Sequence, residues 1–425
     1  MSSLHVRPQG PLCGRIRVPG DKSISHRALI FNALASGTAR VEGLLDALDV
    51  RSTRRCLEQM GVQIVDLPDG AVQITGSGGS LREPLGVLDC GNSGTSMRLF
   101  CGLLAGQDLH AVLTGDEHLV KRPMGRVTVP LGAMGARFEG REQGRFPPLA
   151  VRGGALANGP YESPIASAQV KTAMLLAALQ GRGRLVFREP HLSRDHSERM
   201  LRAMGAEILD QHGALVLDGP QRLQARDVVV PGDISSAAFF LVAASITPGS
   251  DLVVENVGLN PTRAGVLDAL RAMGADIQEL AAREASGEPV ADLRVRHTQL
   301  FGTEIAGSLI PRLIDEVPVL AVAAACAQGQ TTIREAAELR VKESDRIAAT
   351  VALLAALGVH AEELPDGLVV HPGAIQPGRV DAHGDHRIAM SGAVAGCLAD
   401  VHVDDADNVA TSFPTFMTLL QEARA

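Results

Sequence analysis

The sequence predicts an α/β protein of two similar domains, each built from three β-α-β repeat units, and three observations lead to this prediction. A short segment ending a helical pattern recurs five times, with glycines at positions 61, 135, 205, 274 and 358, so one unit spans about 70 residues. Six other segments run from small polar residues into stretches rich in Ala, Leu and Val. The tetrapeptide VPGD occurs twice, with its prolines 212 residues apart, which equals about three units. Such a regular period is typical of a duplicated chain.

The glycine segments mark the ends of predicted helices. They read QMGVQI, AMGARF, AMGAEI, AMGADI and ALGVHA. Each follows an amphipathic stretch, such as residues 195–204 or 262–273, and precedes a segment of alternating polarity. A helix, a glycine cap and a strand follow one another in this order.

The small polar segments mark the starts of six further helices, and they begin at residues 18, 89, 164, 230, 313 and 383. Each should present unpaired backbone N–H groups and the positive end of a helix dipole. A purely structural ring or solenoid is the alternative interpretation. The equivalent positions carry unlike residues, however, which favours a shared functional site over an inert scaffold.

Composition excludes several classes of protein. A chain of 425 residues with 45% apolar and 21% charged residues is long enough for two globular domains. The net charge of −8, no Trp and one Tyr argue against nucleic acid as a partner. The longest apolar run, residues 317–327, is too short to span a membrane, and the first residues have no signal-peptide core. Six cysteines without a Cys-x-x-Cys pair indicate reduced thiols, so we expect a cytoplasmic protein with no metal site.

Cations gather at the predicted helix starts and Gly/Ser loops of this acidic chain. Helix N-termini already favour phosphate and carboxylate groups, and arginine adds bidentate hydrogen bonds. A multiply anionic substrate is therefore expected, although any one of these side chains could be a solvated surface charge. The set is Lys22, Arg27, Arg122, Arg194, Lys342, Arg346 and Arg387.

The segment LRVKESDRIAA should place Lys342, Glu343 and Arg346 on one face of a single helical turn, where they could hold and protonate a ligand. An ordinary surface ladder of ion pairs that includes Glu338 and Asp345 is the alternative.

Two more carboxylates precede helices. Asp315 could be an N-cap or a base for a substrate hydroxyl. Asp385 and Arg387 could be a cap and a ligand-binding cation, with His386 behind them. The GSGG at 76–79 fits a turn better than a nucleotide loop.

Eight segments in order along residues 18–414 resemble the motifs of 5-enolpyruvylshikimate-3-phosphate synthases: PGDKSISHRA, DCGNSGTSMR, TGDEHLVKRPM, ASAQVK, SRDHSERML, ELRVKESDR, DHRIAM and TSFP. The resemblance implies transfer of the enolpyruvyl group of phosphoenolpyruvate to the 5-hydroxyl of shikimate-3-phosphate, without a metal or organic cofactor. It implies an inside-out α/β barrel, the enolpyruvyl transferase fold, with two domains of three β-α-β-α-β-β repeats and an active site in the interdomain cleft. The predicted domains are residues 21–231, on the shikimate-3-phosphate side, and 1–20 with 232–425, on the phosphoenolpyruvate side.

The resemblance also assigns site residues. Shikimate-3-phosphate would be held by Lys22, Ser23, Arg27, Ser167, Ala168, Gln169, Arg194, Asp315 and Lys342. Phosphoenolpyruvate would be held by Lys22, Asn92, Gly94, Arg122, Gln169, Arg346 and Arg387. Glu343 is favoured for the proton on the methylene carbon, Lys22 is the rival acid, and Asp315 is expected at the hydroxyl.

Two positions bear on how far the resemblance carries. Many relatives have a Lys just before TSFP, whereas this chain has Ala410, so one phosphate contact is in doubt. Glyphosate-insensitive relatives carry a bulkier Ala where this chain has Gly94, so we expect inhibition by glyphosate. We also expect a monomer whose two domains close around the substrate, with hinges at Pro19-Gly20 and Pro231-Gly232.

Two other functions remain open at this point. An enolpyruvyl transferase acting on UDP-N-acetylglucosamine is the rival enzyme, but that family usually has a Cys in its mobile loop and TGDEHLVKRPMG has none. A non-catalytic anion-binding protein of the same fold would not need Asp315 and Glu343.

Overall fold

The structure is a computed structural model and describes residues 3–424. The chain forms two compact units. Unit 1 contains residues 3–19, 231–284 and 289–424, and unit 2 contains Gly20–Val230 with Ala285–Glu288.

The helices and strands are numbered along the chain. The helices are α1 (Lys22–Leu34), α2 (Leu48–Gln59), α3 (Gly94–Ala105), α4 (Gly125–Ala133), α5 (Arg141–Gly144), α6 (Ala168–Ala178), α7 (His196–Ala203), α8 (Ile234–Ile246), α9 (Gly265–Ala272), α10 (Ile310–Leu313), α11 (Val317–Ala325), α12 (Arg346–Ala356), α13 (His386–Ala395) and α14 (Phe416–Glu422). The strands are β1 (Leu4–Val6), β2 (Cys13–Arg17), β3 (Thr38–Glu42), β4 (Gln63–Asp66), β5 (Val72–Thr75), β6 (Leu88–Asp89), β7 (His110–Thr114), β8 (Arg137–Gly140), β9 (Phe146–Arg152), β10 (Pro160–Glu162), β11 (Gly183–Arg188), β12 (Ile208–Gln211), β13 (Ala214–Gly219), β14 (Val228–Val229), β15 (Asp251–Gly258), β16 (Asp276–Ala285), β17 (Glu288–Arg296), β18 (Glu304–Ile305), β19 (Thr331–Ile333), β20 (Ala361–Leu364), β21 (Gly367–Val370), β22 (Gly378–Asp381) and β23 (Val401–Asp404).

Each unit consists of three repeats, and each repeat has its own small sheet. In unit 2 the sheets have the strand orders β14-β3-β5-β4, β6-β7-β9-β8 and β10-β11-β13-β12. The third of these repeats follows the order β-α-β-α-β-β without interruption, as β10, α6, β11, α7, β12 and β13, and the second follows it with the short α5 between its last two strands. In the first repeat the leading strand is β14, which pairs parallel to β3 although it lies at the far end of the unit in sequence.

Unit 1 repeats this arrangement and uses the N-terminal strands to complete it. Its sheets have the orders β16-β17-β15-β2, β18-β19-β21-β20 and β1-β23-β22. Strand β2 pairs parallel to β15, and β1 pairs antiparallel to β23. The N-terminal segment therefore belongs to the fold of unit 1.

Each unit has its own apolar core. The central helices α1, α3 and α6 of unit 2 and α8, α11 and α13 of unit 1 are buried along nearly their whole length. Helices apolar on all sides belong in the centre of a domain, whereas amphipathic ones such as α2 and α7 bury only one face. Alanine, leucine, valine and isoleucine make up most of these cores, as the scarcity of aromatic residues requires.

The predicted helix ends are confirmed. The five recurring glycines all have positive φ, between +75° and +115°, and they follow α2, α4, α7, α9 and α12. This left-handed conformation favours glycine because a Cβ atom would clash with the neighbouring carbonyl oxygen. After each one the chain continues into a strand.

The six predicted helix starts are confirmed as α1, α3, α6, α8, α11 and α13. Five of these helices have a side-chain N-cap. Asp21 caps α1, for example, and Asp385 caps α13. Helix α11 differs, because its N-cap position is Glu316 and no side chain caps it. The interpretation of Asp315 as an N-cap is therefore wrong, since this residue lies in the preceding 3-10 turn, Ile314–Glu316.

No helix within residues 3–424 is long and apolar enough to cross a membrane. All six cysteines have free thiols, and Cys13 is the exposed one among them. The segment at 76–79 forms a turn, as predicted.

Candidate active site

In unit 2 the start of α1 carries the first group of predicted site residues. Lys22, the first residue of the helix, forms an ion pair with Asp49, with 2.5 Å between Nζ and Oδ2. Asp49 belongs to α2 and is 5% exposed. A buried carboxylate thus fixes the amino group of a partly exposed lysine.

Arg27 lies one turn further along α1 and is 2% exposed. Its guanidinium donates to Ser197 Oγ at 2.7 Å, to Thr172 Oγ1 at 2.8 Å and to the backbone oxygen of Ser23 at 2.9 Å. Burial, partly offset by the more distant carboxylate of Glu198, lowers the pKa of Arg27 to about 10. The guanidinium keeps its charge at neutral pH, although its direct partners are uncharged.

Two further predicted residues are Arg194, which lies near Arg27, and Ser167, which caps the helix that contains Thr172. Arg194 is near enough for its charge to contribute to lowering the pKa of Arg27. Ser167 is the N-cap of α6 and accepts a hydrogen bond from Val170 N. Ser167 and the following Ala168 and Gln169 are each partly exposed, so the start of α6 is accessible to a ligand.

The start of α3 forms a second cation cluster in unit 2. Arg122 donates to Asn92 Oδ1 at 2.8 Å, and Asn92 donates in turn to Asp116 Oδ2 at 2.7 Å. Gly94 is the first residue of α3, and a Cβ atom added to it would lie 3.3 Å from an Arg122 nitrogen. Asn92, Gly94 and Arg122 are therefore brought together as predicted from the motifs.

Arg98 completes the cluster at α3 and was not predicted from the sequence. It is 8% exposed and donates to Gln169 Oε1 at 2.6 Å and to the Pro123 oxygen at 3.3 Å. Gln169 also donates to Thr95 Oγ1 at 2.9 Å. Its position four residues after Gly94 in DCGNSGTSMR was the available signal, because residues i and i+4 share a helix face.

Three arginines of unit 2 lie near the starts of α1 and α3. Arg27, Arg98 and Arg122 all donate to hydroxyl, amide or carbonyl oxygens. Arginine side chains beside helix N-termini can bind an anionic ligand through their several N–H donors. Together with the helix N-termini, this is the chemistry of a phosphate or carboxylate site.

The cluster in unit 1 is built around Arg346, which is 1% exposed. Its guanidinium contacts Glu343 Oε2 at 2.6 Å, Asp385 Oδ2 at 2.8 Å and Asp315 Oδ1 at 3.3 Å. Lys342 Nζ lies 3.4 Å from the same Asp315 oxygen. The predicted residues are thus in contact, and two cations here meet three carboxylates.

The geometry of this cluster differs from the prediction in one respect. Lys342, Glu343 and Arg346 do not share a helical turn, because α12 begins only at Arg346. The Asp345 side chain accepts hydrogen bonds from the Ile347 and Ala348 amides at 3.2 Å and so caps the helix there. Lys342 and Glu343 lie in the preceding loop, which brings them to Arg346 and Asp315 through backbone turns.

The charges of neighbouring side chains determine whether the buried residues Arg346 and Asp385 are ionised. Burial by itself lowers the pKa of Arg346, but Asp385, Glu343 and Asp315 outweigh it and raise that pKa. Burial alone would raise the pKa of Asp385, yet the charges of Arg346 and His386 lower it. Both groups therefore stay ionised at neutral pH. The role of His386 behind the cluster, as predicted, is consistent with this effect.

The predicted residue Arg387 is held by Asp315 and Glu316, and Glu316 is held in turn by Arg263. The contacts of Glu316 and Arg263 were not predicted. Arg387 Nη1 donates to the Asp315 backbone oxygen at 2.9 Å and lies 3.4 Å from Glu316 Oε1. Glu316 is buried and pairs with Arg263 at 3.0 Å. Arg263 and Asp49 could not be predicted from the sequence, because each lies far along the chain from the residue it positions and no local pattern marks it.

Comparison with known proteins identifies the family. The model of the family described as EPSP synthase (3-phosphoshikimate 1-carboxyvinyltransferase) matches residues 6–420. This chain belongs to the EPSP synthase family. The 3-phosphoshikimate 1-carboxyvinyltransferase of Citrifermentans bemidjiense is 53% identical over 426 residues, which is 99% of each chain. The protein of the same name from Synechococcus sp. is 53% identical over 98% of each chain.

Solved structures agree with this family and with the predicted fold class. The EPSP synthase from Acinetobacter baumannii has a TM-score of 0.89 and 42% identity, over 100% of this chain and 98% of that one. The enolpyruvyl transferase NikO from Streptomyces tendae has a TM-score of 0.80 at 19% identity. That second likeness supports the enolpyruvyl transferase fold alone.

Proposed function

We propose that this member of the EPSP synthase family transfers the enolpyruvyl group of phosphoenolpyruvate to the 5-hydroxyl of shikimate-3-phosphate and releases inorganic phosphate. Family membership over the whole chain supports this reaction. The observation that carries the residue assignment is the gathering of Arg27, Arg98 and Arg122 near the starts of α1 and α3. Two phosphorylated substrates would provide anions for these guanidinium groups.

Shikimate-3-phosphate is assigned to the starts of α1 and α6. Arg194 lies near enough to Arg27 for its charge to help lower the pKa of Arg27, and the phosphate group is assigned to both. Ser23 and Ser167 add hydroxyl donors, Ala168 and Gln169 line the start of α6, and Lys22 lies at the start of α1. Asp315 and Lys342 from unit 1 complete the set.

Phosphoenolpyruvate is assigned to the start of α3 and to the cations of unit 1. Arg122, with Asn92, Gly94, Gln169 and Lys22, would hold it from unit 2, and Arg346 and Arg387 from unit 1. Five of these seven residues lie in unit 2, so the two units do not each bind a single substrate. We add Arg98, because it donates to Gln169 and would lie 3.1 Å from a Cβ atom on Gly94.

The reaction divides into an addition and an elimination. In the addition, the 5-hydroxyl oxygen bonds to the second carbon of phosphoenolpyruvate, a base takes the hydroxyl proton, and the methylene carbon gains a proton. The resulting tetrahedral intermediate then loses phosphate as the bond between the second carbon and the phosphate oxygen breaks. The methyl group loses a proton at the same time, which restores the double bond. Cations beside the departing phosphate stabilise its developing charge.

Three residues are assigned to these proton transfers. Asp315, a carboxylate beside Lys342 and Arg346, is assigned as the base at the 5-hydroxyl. Glu343 is assigned to the carbon proton, and a substrate carboxylate at Arg346 would displace Glu343 from its ion pair and leave it available. Lys22, fixed by Asp49, is the second candidate acid.

A direct test follows the phosphorus atoms by ³¹P nuclear magnetic resonance. Purified protein is mixed with phosphoenolpyruvate and shikimate-3-phosphate. We expect the phosphoenolpyruvate signal to give way to inorganic phosphate while the shikimate-3-phosphate signal shifts but remains an ester. Inorganic phosphate without a new ester would mean simple hydrolysis and would contradict the proposal.

Further features belong to the same proposal. We propose that glyphosate competes with phosphoenolpyruvate, since Gly94 leaves the space beside Arg98 and Arg122 free of a side chain. We also propose that the protein acts as a monomer in the cytoplasm.

A further inference from the structure

The hairpin formed by β20 and β21 of unit 1 carries two histidines and a carboxylate on one face. His360 immediately precedes β20, His371 immediately follows β21, and the His371 amide donates to the His360 oxygen at 3.0 Å. The two histidines are therefore directly opposite each other across the hairpin. Glu362 is two residues along β20 from His360, so it points to the same face as His360.

Distances between the side chains show that their potential ligand atoms meet at one point. Glu362 Oε1 lies 2.7 Å from His371 Nε2 and 3.8 Å from His360 Nε2. All three ligand atoms lie within 4.8 Å of one another. The two imidazole rings are stacked, with 4.7 Å between their centroids and 17° between their planes. Both rings therefore direct a nitrogen towards the same carboxylate.

This arrangement brings together the ligand types of a zinc centre, with Glu362 Oε1 and His371 Nε2 at hydrogen-bond distance from each other. Zinc binds histidine nitrogens at about 2.0 to 2.1 Å and carboxylate oxygens at about 2.0 to 2.2 Å, which places tetrahedral ligands about 3.4 Å apart. The observed separations of 2.7 and 3.8 Å lie on either side of that value. Rotations of partly or fully exposed side chains are enough to close the difference.

A second group in unit 1 offers a natural comparison. His5 and His402 are opposite each other in β1 and β23, and His5 Nε2 lies 2.7 Å from Asp400 Oδ1. There, however, Arg7 Nε donates to His5 Nε2 at 3.0 Å and occupies the nitrogen that a metal would need. Within residues 3–424, no lysine or arginine contacts the three side chains of the β20–β21 group.

We propose that His360, Glu362 and His371 form a zinc site. Two histidines and a glutamate are a ligand set that zinc uses with a fourth position open to water. The metal would join the two strands of the hairpin and stabilise it, because it binds the folded arrangement in preference to the unfolded one. The sequence predicted no metal site because only cysteine pairs were considered, whereas the signal here is His-x-Glu followed by His371.

The test measures zinc binding and does not depend on enzyme activity. Tag-free full-length protein competes with a chromophoric chelator for ZnCl₂, and His371→Asn is compared with His402→Asn, which changes the second group. We expect wild-type protein and His402→Asn to bind one equivalent of zinc at low micromolar concentration. His371→Asn should bind it roughly tenfold or more weakly, since loss of a ligand costs at least as much as loss of a supporting contact.

Two other measurements make the result specific. With CoCl₂ as the probe, wild-type protein should show the intense visible bands of a four-coordinate site, and His371→Asn should not. Zinc should also slow amide hydrogen exchange in β20 and β21. Equal zinc affinity in wild-type protein and His371→Asn would overturn the proposal, as would loss of binding in His402→Asn or binding only at millimolar zinc.

Discussion

At the scale of single residues, Glu343 is the most informative side chain, because Arg346 holds its carboxylate at 2.6 Å while the proposed reaction needs it to exchange a proton with carbon. Glu343→Gln keeps the shape but cannot take up or release that proton. We expect kcat to fall about 10²- to 10⁴-fold, as is usual for loss of a general acid or base.

Rapid quenching with labelled phosphoenolpyruvate would show whether the tetrahedral intermediate forms in Glu343→Gln. The affinity for shikimate-3-phosphate should be nearly unchanged, because Glu343 is not assigned to it. Glu304→Gln, at an exposed position of unit 1, is the matched control and should turn over normally. Normal turnover in Glu343→Gln itself would remove Glu343 from the proton transfer.

Gly94 has no side chain, and the space this leaves beside Arg98 and Arg122 is proposed to admit phosphoenolpyruvate and glyphosate. The Cβ atom of Gly94→Ala would lie 3.1 Å from an Arg98 nitrogen and 3.3 Å from an Arg122 nitrogen, so both guanidinium groups would have to move. Such overpacking costs about 1 to 3 kcal/mol. We expect a higher KM for phosphoenolpyruvate and a higher inhibition constant for glyphosate, measured in the same steady-state assay.

The control for that substitution is Gly132→Ala, in which the added Cβ atom meets nothing within 4 Å. It should change neither constant. If millimolar glyphosate failed to compete with phosphoenolpyruvate even in the wild-type protein, the proposed inhibition by glyphosate would be wrong.

At the scale of secondary-structure elements, the recurring glycines define where helices end. Gly205 has a φ of +93° and its surroundings would leave room for a methyl group, so Gly205→Ala tests backbone strain alone. We expect it to lower the free energy of unfolding by about 1 to 2 kcal/mol in urea titrations, with kcat unchanged. Gly159→Ala has equal space without positive φ and should change stability little. Equal effects of the two substitutions would contradict this account of the caps.

The same periodicity explains which elements could be predicted. Helix starts at Lys22, Gly94 and Ala168 and helix ends before Gly61 and Gly205 were found because glycine conformation and apolar runs are local properties. The start of α12 was misplaced, because the choice of Asp345 as its cap depends on hydrogen bonds that several neighbouring residues could make. The pairing of β2 with β15 could not be predicted, since the partners are more than 230 residues apart.

The candidate site shows the same limit. Family motifs pointed to Arg122 and Glu343, which contact Asn92 and Arg346, and their roles stay predictions. Arg98, Asp49 and Glu316 were missed because a buried ion pair or hydrogen bond is defined by three-dimensional proximity and leaves no periodic trace.

Helices α12 and α13 of unit 1 are joined by a buried ion pair, Arg346 with Asp385 at 2.8 Å. Asp385→Asn leaves the arginine with less compensating charge, and breaking such a pair costs about 3 to 5 kcal/mol. Urea unfolding should show this loss. Asp276→Asn removes a half-exposed pair with Arg296 and should cost less than about 1 kcal/mol. A loss in Asp385→Asn no larger than in the control would contradict the structural role of the pair.

The pH dependence of that contribution has a definite sign. The pKa of Asp385 is lowered in the folded protein, so its stabilising effect is present above its unfolded pKa of about 3.9. The effect is lost as the pH falls below that value towards the folded pKa. Wild-type protein should therefore lose more stability than Asp385→Asn when the pH is lowered through this range.

At the scale of the whole molecule, the two units are built alike but contain different clusters of charged side chains. In unit 2, Arg27 and Arg98 donate to hydroxyl, amide and carbonyl oxygens and Lys22 pairs with Asp49, whereas the cluster of unit 1 combines cations with the carboxylates Asp315, Glu343 and Asp385. An anion-binding protein without catalysis would not require those carboxylates. The carboxylates beside cations in unit 1 are the physical basis for proposing Asp315 and Glu343 as proton-transfer groups.

The measurement that tests this account most directly is phosphate release from purified protein given phosphoenolpyruvate together with shikimate-3-phosphate. A parallel reaction contains phosphoenolpyruvate and UDP-N-acetylglucosamine. We predict continuous release with shikimate-3-phosphate and none with the nucleotide sugar. Release only with the nucleotide sugar, or with neither acceptor, would contradict the proposed function.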